Sequence, residues 1–351
     1  MGVDTHRDVP VAVALDGLGG RLGELGVPTT RAGYRALETW AAGLGEVAAY
    51  GVEGTGCYGA GLARFLAQRG HRVVEVNRPD RATRRRRGKS DPIDAEMAAR
   101  AVLGGVAQVV PKDTAGSTEM VRLLKLPRDS AVRARTSALN QLKALLVTAP
   151  AALRESLGEL ATPALLARCA GFRRGDLDSP TDAAKQALRS LARRALALTA
   201  EAAELERQIE RLVASSAPAL LDAYGVGPLS AATFLVTAGA HPDRLRSEAA
   251  FAALAGASPV PASSGRTTRH RLNRGGDRQA NAALHRVVVV RLRWHPPTRD
   301  YLARRTTEGK SKPEIMRCLK RYLAREIFGL LRPPRPSPGA LGPCAGAAGH
   351  L

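Results

Sequence analysis

The chain has few aromatic residues, few cysteines and no long apolar runs, and each shortage excludes a class of protein. Aromatic residues make up only 4% of its 351 residues. The four cysteines lie far apart with no C-x-x-C pair, so neither a disulfide framework nor a zinc site is supported, and we expect them to be reduced. No window approaches the roughly 20 apolar residues of a spanning helix, and the N-terminus lacks a signal-peptide pattern. We therefore expect a cytoplasmic protein, associated with the nucleoid and with no membrane partner.

Acidic residues are also outnumbered. The 53 Lys and Arg residues exceed the 32 Asp and Glu residues by 21 charges, a surplus that repels itself unless it meets a polyanion such as nucleic acid. Residues 1–70 hold six basic and seven acidic residues, whereas residues 264–326 hold seventeen basic and five acidic ones. We therefore expect the C-terminal part to lie on phosphates. A basic run between the two parts contains further expected nucleic-acid contacts, namely Arg84, Arg85, Arg86 and Arg87.

Strand and helix signals alternate over the first hundred residues, which predicts an α/β domain. A β-hairpin is predicted over residues 9–27 and strands over 47–53 and 72–76. Helices are predicted over 32–44, where Thr30 can act as the cap, and over 59–69 and 90–103. From about residue 118 to 146 the pattern becomes helical. Its expected buried face comprises Leu123, Leu124, Leu139, Leu142, Leu145 and Leu146.

Apolar residues then repeat at heptad spacing from Leu188 to Leu212, over more than three heptads. A long core helix, an antiparallel hairpin and a dimeric coiled coil all fit this spacing. The chain as a whole divides into an α/β domain (1–110), a helical linker and coiled coil (111–215), a mainly α domain (216–331) and a disordered tail rich in Pro and Gly (332–351).

Four carboxylates mark a candidate site in the α/β domain. Asp4 and Glu53 end predicted strands, and Asp91 and Asp94 are three apart at the start of a helix, where they face the same way. Such a set can hold two Mg²⁺ ions for chemistry at a phosphodiester. Each part of this set also has a structural alternative. Asp91, Pro92 and Asp94 fit the N-cap, first and third positions of a helix, and Glu53 fits an ordinary ion pair at a strand end.

A pair of hydroxyls beside a glycine marks a second candidate site. Ser263 and Ser264 precede Gly265 and a run rich in arginine that contains Arg266, Arg269, Arg271 and Arg274. A serine can attack a phosphodiester if guanidinium groups or a metal meet the developing charge. A plain turn with capping serines in a phosphate-binding loop is the alternative.

Two further features suggest contact with a nucleic-acid backbone. Gly225 and Gly227 lie between apolar helices, as in a helix-hairpin-helix turn, although a plain turn fits as well. The later helices carry basic residues that fit either a solvated face or backbone contact. These are Arg286, Arg291, Arg293, Lys310, Lys312, Arg317, Lys320, Arg321 and Arg325.

These motifs together resemble a known family. The segments GVDTHRD, GVEGTGCYG and KSDPIDAEMAARA, followed by a Gly-x-x-Pro segment with Ser-Gly five residues later and a basic R-x-x-R-x-G element, are similar to the DEDD transposases of the insertion sequence 110 family, which also includes pilin-gene invertases. Only three residues precede Asp4, fewer than a full first strand needs, so we expect an earlier start or a shortened protein.

The resemblance implies a ribonuclease H-like (RuvC-like) α/β domain and a C-terminal transposase domain. Asp4, Glu53, Asp91 and Asp94 match the metal-binding carboxylates, for Mg²⁺ with Mn²⁺ as a substitute. Ser264 matches the serine that links covalently to DNA, with Ser263 as second choice because the two hydroxyls are adjacent.

The implied activity is the excision and integration of a mobile element by a homodimer or homotetramer. Its partners would be double-stranded DNA, as element ends and target, and a structured non-coding guide RNA. Two other functions are open: a RuvC-like structure-specific nuclease that uses water, and an inactive DNA-binding relic.

Overall fold

The structure is a computed structural model, and it describes residues 1–77, 90–113, 116–173, 175–239, 245–263, 265 and 270–332. The chain divides into two compact units. The first spans Met1–Met120, and the second contains Val121–Ala238 and the described residues from Leu245 onward. The four-part division predicted from the sequence stays a prediction.

The first unit contains a five-stranded mixed sheet, formed by β1 (Gly2–Asp4), β2 (Val11–Leu15), β3 (Arg21–Gly26), β4 (Tyr50–Glu53) and β5 (Val73–Val76). Their order in the sheet is β3-β2-β1-β4-β5. The first three strands form an antiparallel meander, whereas β4 runs parallel to β1 and β5 runs parallel to β4. A first strand therefore forms from three residues and is paired on both sides.

In the described part of this unit, the sheet is accompanied by the helices α1 (Arg31–Gly43), α2 (Ala60–Gln68) and α3 (Asp91–Leu103). Thr30 caps α1 by accepting a hydrogen bond of 3.1 Å from the Gly33 amide, as predicted. The core of this unit contains the fully buried side chains of Val3, Leu37, Val52 and Leu66. The predicted order of strands and helices is confirmed, with ends shifted by at most a few residues.

The second unit is mostly helical. Its helices, the first of which begins at the end of the first unit, are α4 (Ser117–Thr148), α5 (Ala151–Gly158), α6 (Thr162–Ala170), α7 (Pro180–Ser216), α8 (Pro218–Asp222), α9 (Pro228–Ala238), α10 (Glu248–Leu254), α11 (Arg278–Trp294), α12 (Pro296–Thr307) and α13 (Lys312–Leu331). A two-stranded ladder joins β6 (Val260–Pro261) to β7 (His270–Arg271). The prediction of a helical part after an α/β part is confirmed.

The heptad spacing lies on the single long helix α7. Leu188 and Ala195 are fully buried in one cluster of the second unit, and Ile209 is fully buried in another. Neighbouring segments of the same unit therefore cover part of the heptad face. The coiled coil stays a prediction.

One predicted face was partly wrong. Leu123 is 52% exposed, whereas Val121, Ala131 and Ala138 on the same helix are buried. Leu142 and Leu146 are buried as expected. The sequence pattern favoured leucines, but the helix also buries these smaller side chains.

Several predicted features lie outside the described residues. They are Arg84, Arg85, Arg86, Arg87, Ser264, Arg266, Arg269, Cys344 and the tail from residue 333. The other three cysteines form no disulfide. Among the helices of the described ranges, none is both long and apolar enough to cross a bilayer.

Candidate functional site

Asp4 and Glu53 end two neighbouring parallel strands. Val3 pairs with Val52 in the register of β1 and β4, so the next residue on each strand is a carboxylate. The hydroxyl of Thr5 donates a hydrogen bond of 2.9 Å to the main-chain oxygen of Glu53 and ties the two strand ends together. The carboxyl ends of parallel strands form one edge, which is where α/β sheets hold their sites.

Two glycines let α3 pack closely against β1 and β4. Gly2 and Gly51 lie opposite each other on β1 and β4. A Cβ atom at Gly2 would lie 2.2 Å from the main-chain oxygen of Ala95, and one at Gly51 would lie 2.6 Å from a methyl carbon of Val102. Only glycine permits so close an approach of the helix backbone to the strands.

The first turn of α3 carries the other two carboxylates. Ser90 occupies the N-cap position, so Asp91 is the first residue of the helix rather than its cap. Asp91 therefore does not take the capping role that the structural alternative assigned to it. Asp94 is 2% exposed, and its negative charge acts on Asp4.

The structure brings Asp4 and Asp91 together around a histidine. The Nε2 atom of His6 lies 3.3 Å from Oδ2 of Asp4 and 3.2 Å from Oδ1 of Asp91. Ligand atoms of these three residues all lie within 4.8 Å of one another. Glu53 and Asp94 do not belong to this group of three.

Electrostatics set this cluster apart. Burial raises the pKa of the Asp4 carboxyl, and the charges of Asp94 and Asp91 raise it further, while His6 acts in the opposite direction. Carboxylates crowded in this way favour a bound cation, which would remove the repulsion. The donor set of carboxylate oxygens and an imidazole nitrogen thus fits a divalent metal.

His6 was missed by the sequence-based reasoning, although it stands two residues after Asp4. A strand alternates its side chains, so positions i and i+2 share a face, and the D-x-H spacing at a strand end was the available signal.

The serine segment is closed at its base by a second pair of glycines. A Cβ atom at Gly276 would lie 2.2 Å from the amide nitrogen of Gly256. Gly256 itself has a φ of +64°, a conformation that favours glycine. The backbone on either side of the segment that contains Ser263 and Ser264 is therefore in direct contact. Ser263 is exposed.

A buried polar network holds this base to α11 and α13. The Asn281 side chain donates hydrogen bonds of 2.9 and 3.0 Å to the main-chain oxygens of Ala255 and Gly256. Its Oδ1 accepts a hydrogen bond of 2.9 Å from Nζ of Lys320, a residue only 7% exposed. Burial lowers the pKa of Lys320, and the charge of Arg317 lowers it further. Lys320 is thus buried in this network, so the solvated-face alternative is wrong for this residue, while its contact with nucleic acid stays a prediction.

A cavity of about 860 Å³ opens beside this base. The turn from Gly256 to Pro259 forms one wall, β7 and the following residues form another, and the start of α13 forms the third. Its basic and aromatic lining residues are His270, Arg271, Lys310, Arg317, Lys320, Arg321 and Tyr322. Two predicted nucleic-acid contacts, Arg271 and Lys310, therefore lie in the cavity wall.

The remaining predicted contacts lie elsewhere. Arg274 and Lys312 are exposed and do not line the cavity. Gly225 has a φ of +76° in the turn between α8 and α9, and a Cβ atom there would lie 3.2 Å from Val290. The turn predicted around Gly225 and Gly227 is therefore present and packs against α11. Its contact with nucleic acid stays a prediction.

Several basic residues of the late helices do have acidic partners. Both terminal nitrogens of Arg291 donate hydrogen bonds of 2.7 Å to Glu326. Arg321 and Arg325 both pair with Glu248. These three are therefore less available to phosphates than their number in the sequence suggested.

Comparison with known proteins assigns both units to one family. Residues 1–149 match the family of DEDD transposases of the IS110 type, described as "Transposase", and residues 217–303 match the family described as "Transposase IS116/IS110/IS902 family". The chain belongs to the IS110 family of transposases. Its carboxylate edge lies within the first matched region, and the serine segment lies within the second.

A curated relative supports the assignment. The chain is 30% identical over 145 residues to the "Insertion element IS900 uncharacterized 42 kDa protein" of Mycobacterium paratuberculosis. The match covers 40% of this chain and 36% of that protein.

Proposed function

We propose that the chain is a DNA transposase that excises and integrates an insertion sequence by cutting and rejoining DNA strands. The observation that carries the proposal is the convergence of Asp4, His6 and Asp91 at the carboxyl edge of the sheet, within a region that matches DEDD transposases. The strongly basic C-terminal half supplies the charge that a DNA backbone requires.

The carboxylate cluster would hold the divalent metal. Asp4 and Asp91 supply oxygen donors, His6 supplies a nitrogen donor, and Asp94 and Glu53 complete the negative charge of this edge. Mg²⁺ is the proposed ion, probed alongside Mn²⁺, and two ions are proposed from the number of carboxylates. A divalent ion held at this edge would supply Lewis-acid stabilisation of charge on a phosphodiester.

The serine segment would supply the nucleophile. In this proposal the Ser264 hydroxyl oxygen attacks a phosphodiester, forms an O–P bond, and releases the 3′-oxygen, which takes up a proton. A 3′-hydroxyl of the partner strand then attacks the phosphoserine and releases the serine. The number of phosphodiester bonds is conserved, so no external energy source is needed. Ser263 is the second choice for the same role.

Further proposals follow from the architecture. The antiparallel meander followed by two parallel strands supports a ribonuclease H-like, RuvC-like fold for the first domain. The partly covered heptad face of α7 supports a coiled coil in a homodimer or homotetramer. A structured guide RNA is proposed as a partner that reads the target by base pairing, with the protein holding backbones. A cytoplasmic, nucleoid-associated location follows from DNA as substrate.

The test is an incubation of the full chain with element-end and target DNA, Mg²⁺ and RNA transcribed from the element flank, resolved on a denaturing gel. We expect a protein-linked DNA band that disappears in Ser264→Ala, persists in Ser263→Ala and requires Asp4 and Asp91. Free cleaved ends that are indifferent to both serines would instead favour the water-using nuclease. DNA binding without Mg²⁺-dependent products would favour the inactive relic.

A further inference from the structure

The cavity in the second unit is larger than a phosphate needs. At about 860 Å³ it lies in the range of pockets that hold whole small molecules. Ser258, Asn273 and Ser311 add polar groups to its wall. A ligand with both a charged and a flat apolar part would use the whole cavity.

The charge of the cavity favours an anion. Arg271, Lys310 and Arg317 line it, and none of these three takes part in the ion pairs described above. Among the described residues of the wall, the one carboxylate belongs to Glu314, which accepts hydrogen bonds from the amide and the hydroxyl of Ser311. These bonds lower the pKa of Glu314, and the positive charges of Arg317 and Lys310 lower it further. The basic side chains of the wall still outnumber this one carboxylate.

The same wall presents an aromatic ring in a chain that has few. Tyr322 lines the cavity and is 54% exposed. Tyr301 meets it edge-on, with ring centroids 5.7 Å apart and planes at 84°. Arg304 and Arg305 in turn lie over the Tyr301 ring, at 5.5 and 5.8 Å from its centroid. Tyr322 therefore packs against Tyr301 while about half of its surface is exposed.

We propose that this cavity holds one unpaired nucleotide of a nucleic-acid strand, with its phosphate against Arg271, Lys310 and Arg317 and its base against Tyr322. An exposed aromatic ring beside basic side chains is the arrangement that binds single strands, because every base has a flat face that can stack. A base within a duplex is already stacked on its neighbours. The cavity therefore selects a nucleotide that has left the helix.

This inference rests on the proposed transposase function and adds that the bound strand has an unpaired nucleotide. The cavity lies beside the glycine contact that closes the serine segment. A strand exchange requires unpaired nucleotides at the exchange point, and a protein that holds one of them there stabilises the opened strand. DNA and RNA share the chemistry that the cavity recognises, so separate measurements must identify the source.

The test measures binding of the full chain to fluorescent eight-residue oligonucleotides, dT and rU, and to a DNA duplex. We expect Tyr322→Leu to weaken binding of dT, rU or both about ten-fold, in line with roughly 1–3 kcal/mol per stacked base, and to leave duplex binding unchanged. Tyr322→Phe should retain wild-type affinity because it keeps the ring. Trp294→Leu, which removes an aromatic residue that is 67% exposed and does not line the cavity, is the matched control.

The charged part is tested in the same assay. Arg271→Ala should lower the slope of log affinity against log salt for the single strand by about 0.7, the value of one phosphate contact. Arg154, which is exposed on α5 and lies outside the cavity, provides the control Arg154→Ala, which should cause a smaller change. Larger losses with dT identify a DNA strand as the occupant, and larger losses with rU identify RNA.

Three outcomes would each overturn the inference. Tyr322→Leu could bind the single strands as well as the wild type does, or it could lose no more affinity than Trp294→Leu. It could also lose as much affinity for the duplex as for the single strands. The serine-linked DNA band tests the transposase function separately. A band that forms while Tyr322 has no effect on single-strand binding refutes the nucleotide cavity alone. Thermal unfolding of each variant shows whether it has folded.

Discussion

Lys320 donates a hydrogen bond from Nζ to Oδ1 of Asn281, at 2.9 Å. The side-chain nitrogen of Asn281 donates hydrogen bonds to the main-chain oxygens of Ala255 and Gly256. One buried lysine on α13 is thus linked through Asn281 to the base of the serine segment. A buried polar network of this kind is stable only when each member finds a partner.

The first prediction concerns the pH dependence that Lys320 imparts. Because its folded pKa lies below the ordinary value of 10.5, the unfolded chain holds the extra proton between the two values. The free energy of unfolding therefore gains a contribution as pH rises from the folded pKa toward 10.5. Urea unfolding between pH 7 and pH 10 should show this rise in the wild type but not in Lys320→Met.

The exposed Lys143 provides the control for that experiment. Lys143→Met should follow the wild-type pH dependence. Parallel curves for Lys320→Met and the wild type would contradict a buried, charged Lys320.

The second prediction concerns the glycine contact at the base of the serine segment. Gly276→Ala places a methyl group 2.2 Å from the amide nitrogen of Gly256, and the backbone must move. We expect a loss of about 1–3 kcal/mol in the free energy of unfolding and a loss of the serine-linked DNA band. In the adjacent control, Gly275→Ala, the nearest atom would lie 3.5 Å away, so stability and product should both be retained. Similar behaviour of the two variants would exclude a role for the close approach.

The third prediction concerns the packing of α3 on the sheet. Gly51→Ala brings a methyl group to 2.6 Å from Val102 and 3.1 Å from the main-chain oxygen of Ala98. We expect a loss of about 1–3 kcal/mol in stability and a smaller rise of the melting temperature on addition of Mn²⁺, because Asp91 moves with the helix. Gly43→Ala, with no atom within 4 Å, is the control. An unchanged response to Mn²⁺ in Gly51→Ala would show that the helix position does not matter for the metal.

The fourth prediction concerns the metal preference that His6 imparts. An imidazole nitrogen favours first-row transition metals, whereas Mg²⁺ prefers oxygen ligands. His6→Ala should therefore weaken Mn²⁺ binding, measured by calorimetry on the full chain, more than it weakens Mg²⁺ binding. Asp4→Asn should weaken both. Equal losses for the two ions in His6→Ala would leave His6 as a neighbour of the carboxylates and not a ligand.

The fifth prediction concerns the ion network between α4 and α7. Burial alone would raise the pKa of Asp129, but hydrogen bonds from Lys125 and Arg128 hold it below its ordinary value of 3.8. Arg128 also pairs with Glu206 on α7. The stability from Asp129 is therefore present above pH 3.8 and disappears as pH falls through the folded pKa.

Asp129→Asn should lower the free energy of unfolding at pH 7 by roughly 1–3 kcal/mol, as for a hydrogen bond to a charged group. Its difference from the wild type should vanish in strong acid. Glu204→Gln removes an exposed ion pair with Arg207 and should have little effect. Equal melting temperatures of Asp129→Asn and wild type at pH 7 would contradict a stabilising network.

Much of the first unit could be predicted from its sequence because its signals are local. Alternating apolar residues indicate strands, and Thr30 indicates the start of a helix. Carboxylates at strand ends and at a helix start indicate a candidate site at one edge of the sheet. His6 was missed because its role depends on Asp91, which is distant in sequence. The role of Gly2 and Gly51 was missed because the sequence alone does not show which glycines of a strand have a helix packed closely against them.

The second unit was harder to predict because its determinants are long-range. Lys320 belongs to a basic helix and reads as a surface residue until Asn281 is seen beside it. Arg321 and Arg325 read as nucleic-acid contacts until Glu248, more than 70 positions away, is found next to them. Pairing across such separations leaves no periodicity in one sequence.

The paired glycines Gly2 and Gly51 also bear on how copies of an insertion sequence become inactive by mutation. A copy that keeps every carboxylate and its serine looks intact, yet a single methyl group at Gly2 or Gly51 would push α3 away from the strand ends. When inactive copies are distinguished from active ones by sequence, a substitution at Gly2 or Gly51 should therefore count in the same way as the loss of Asp4 or Asp91.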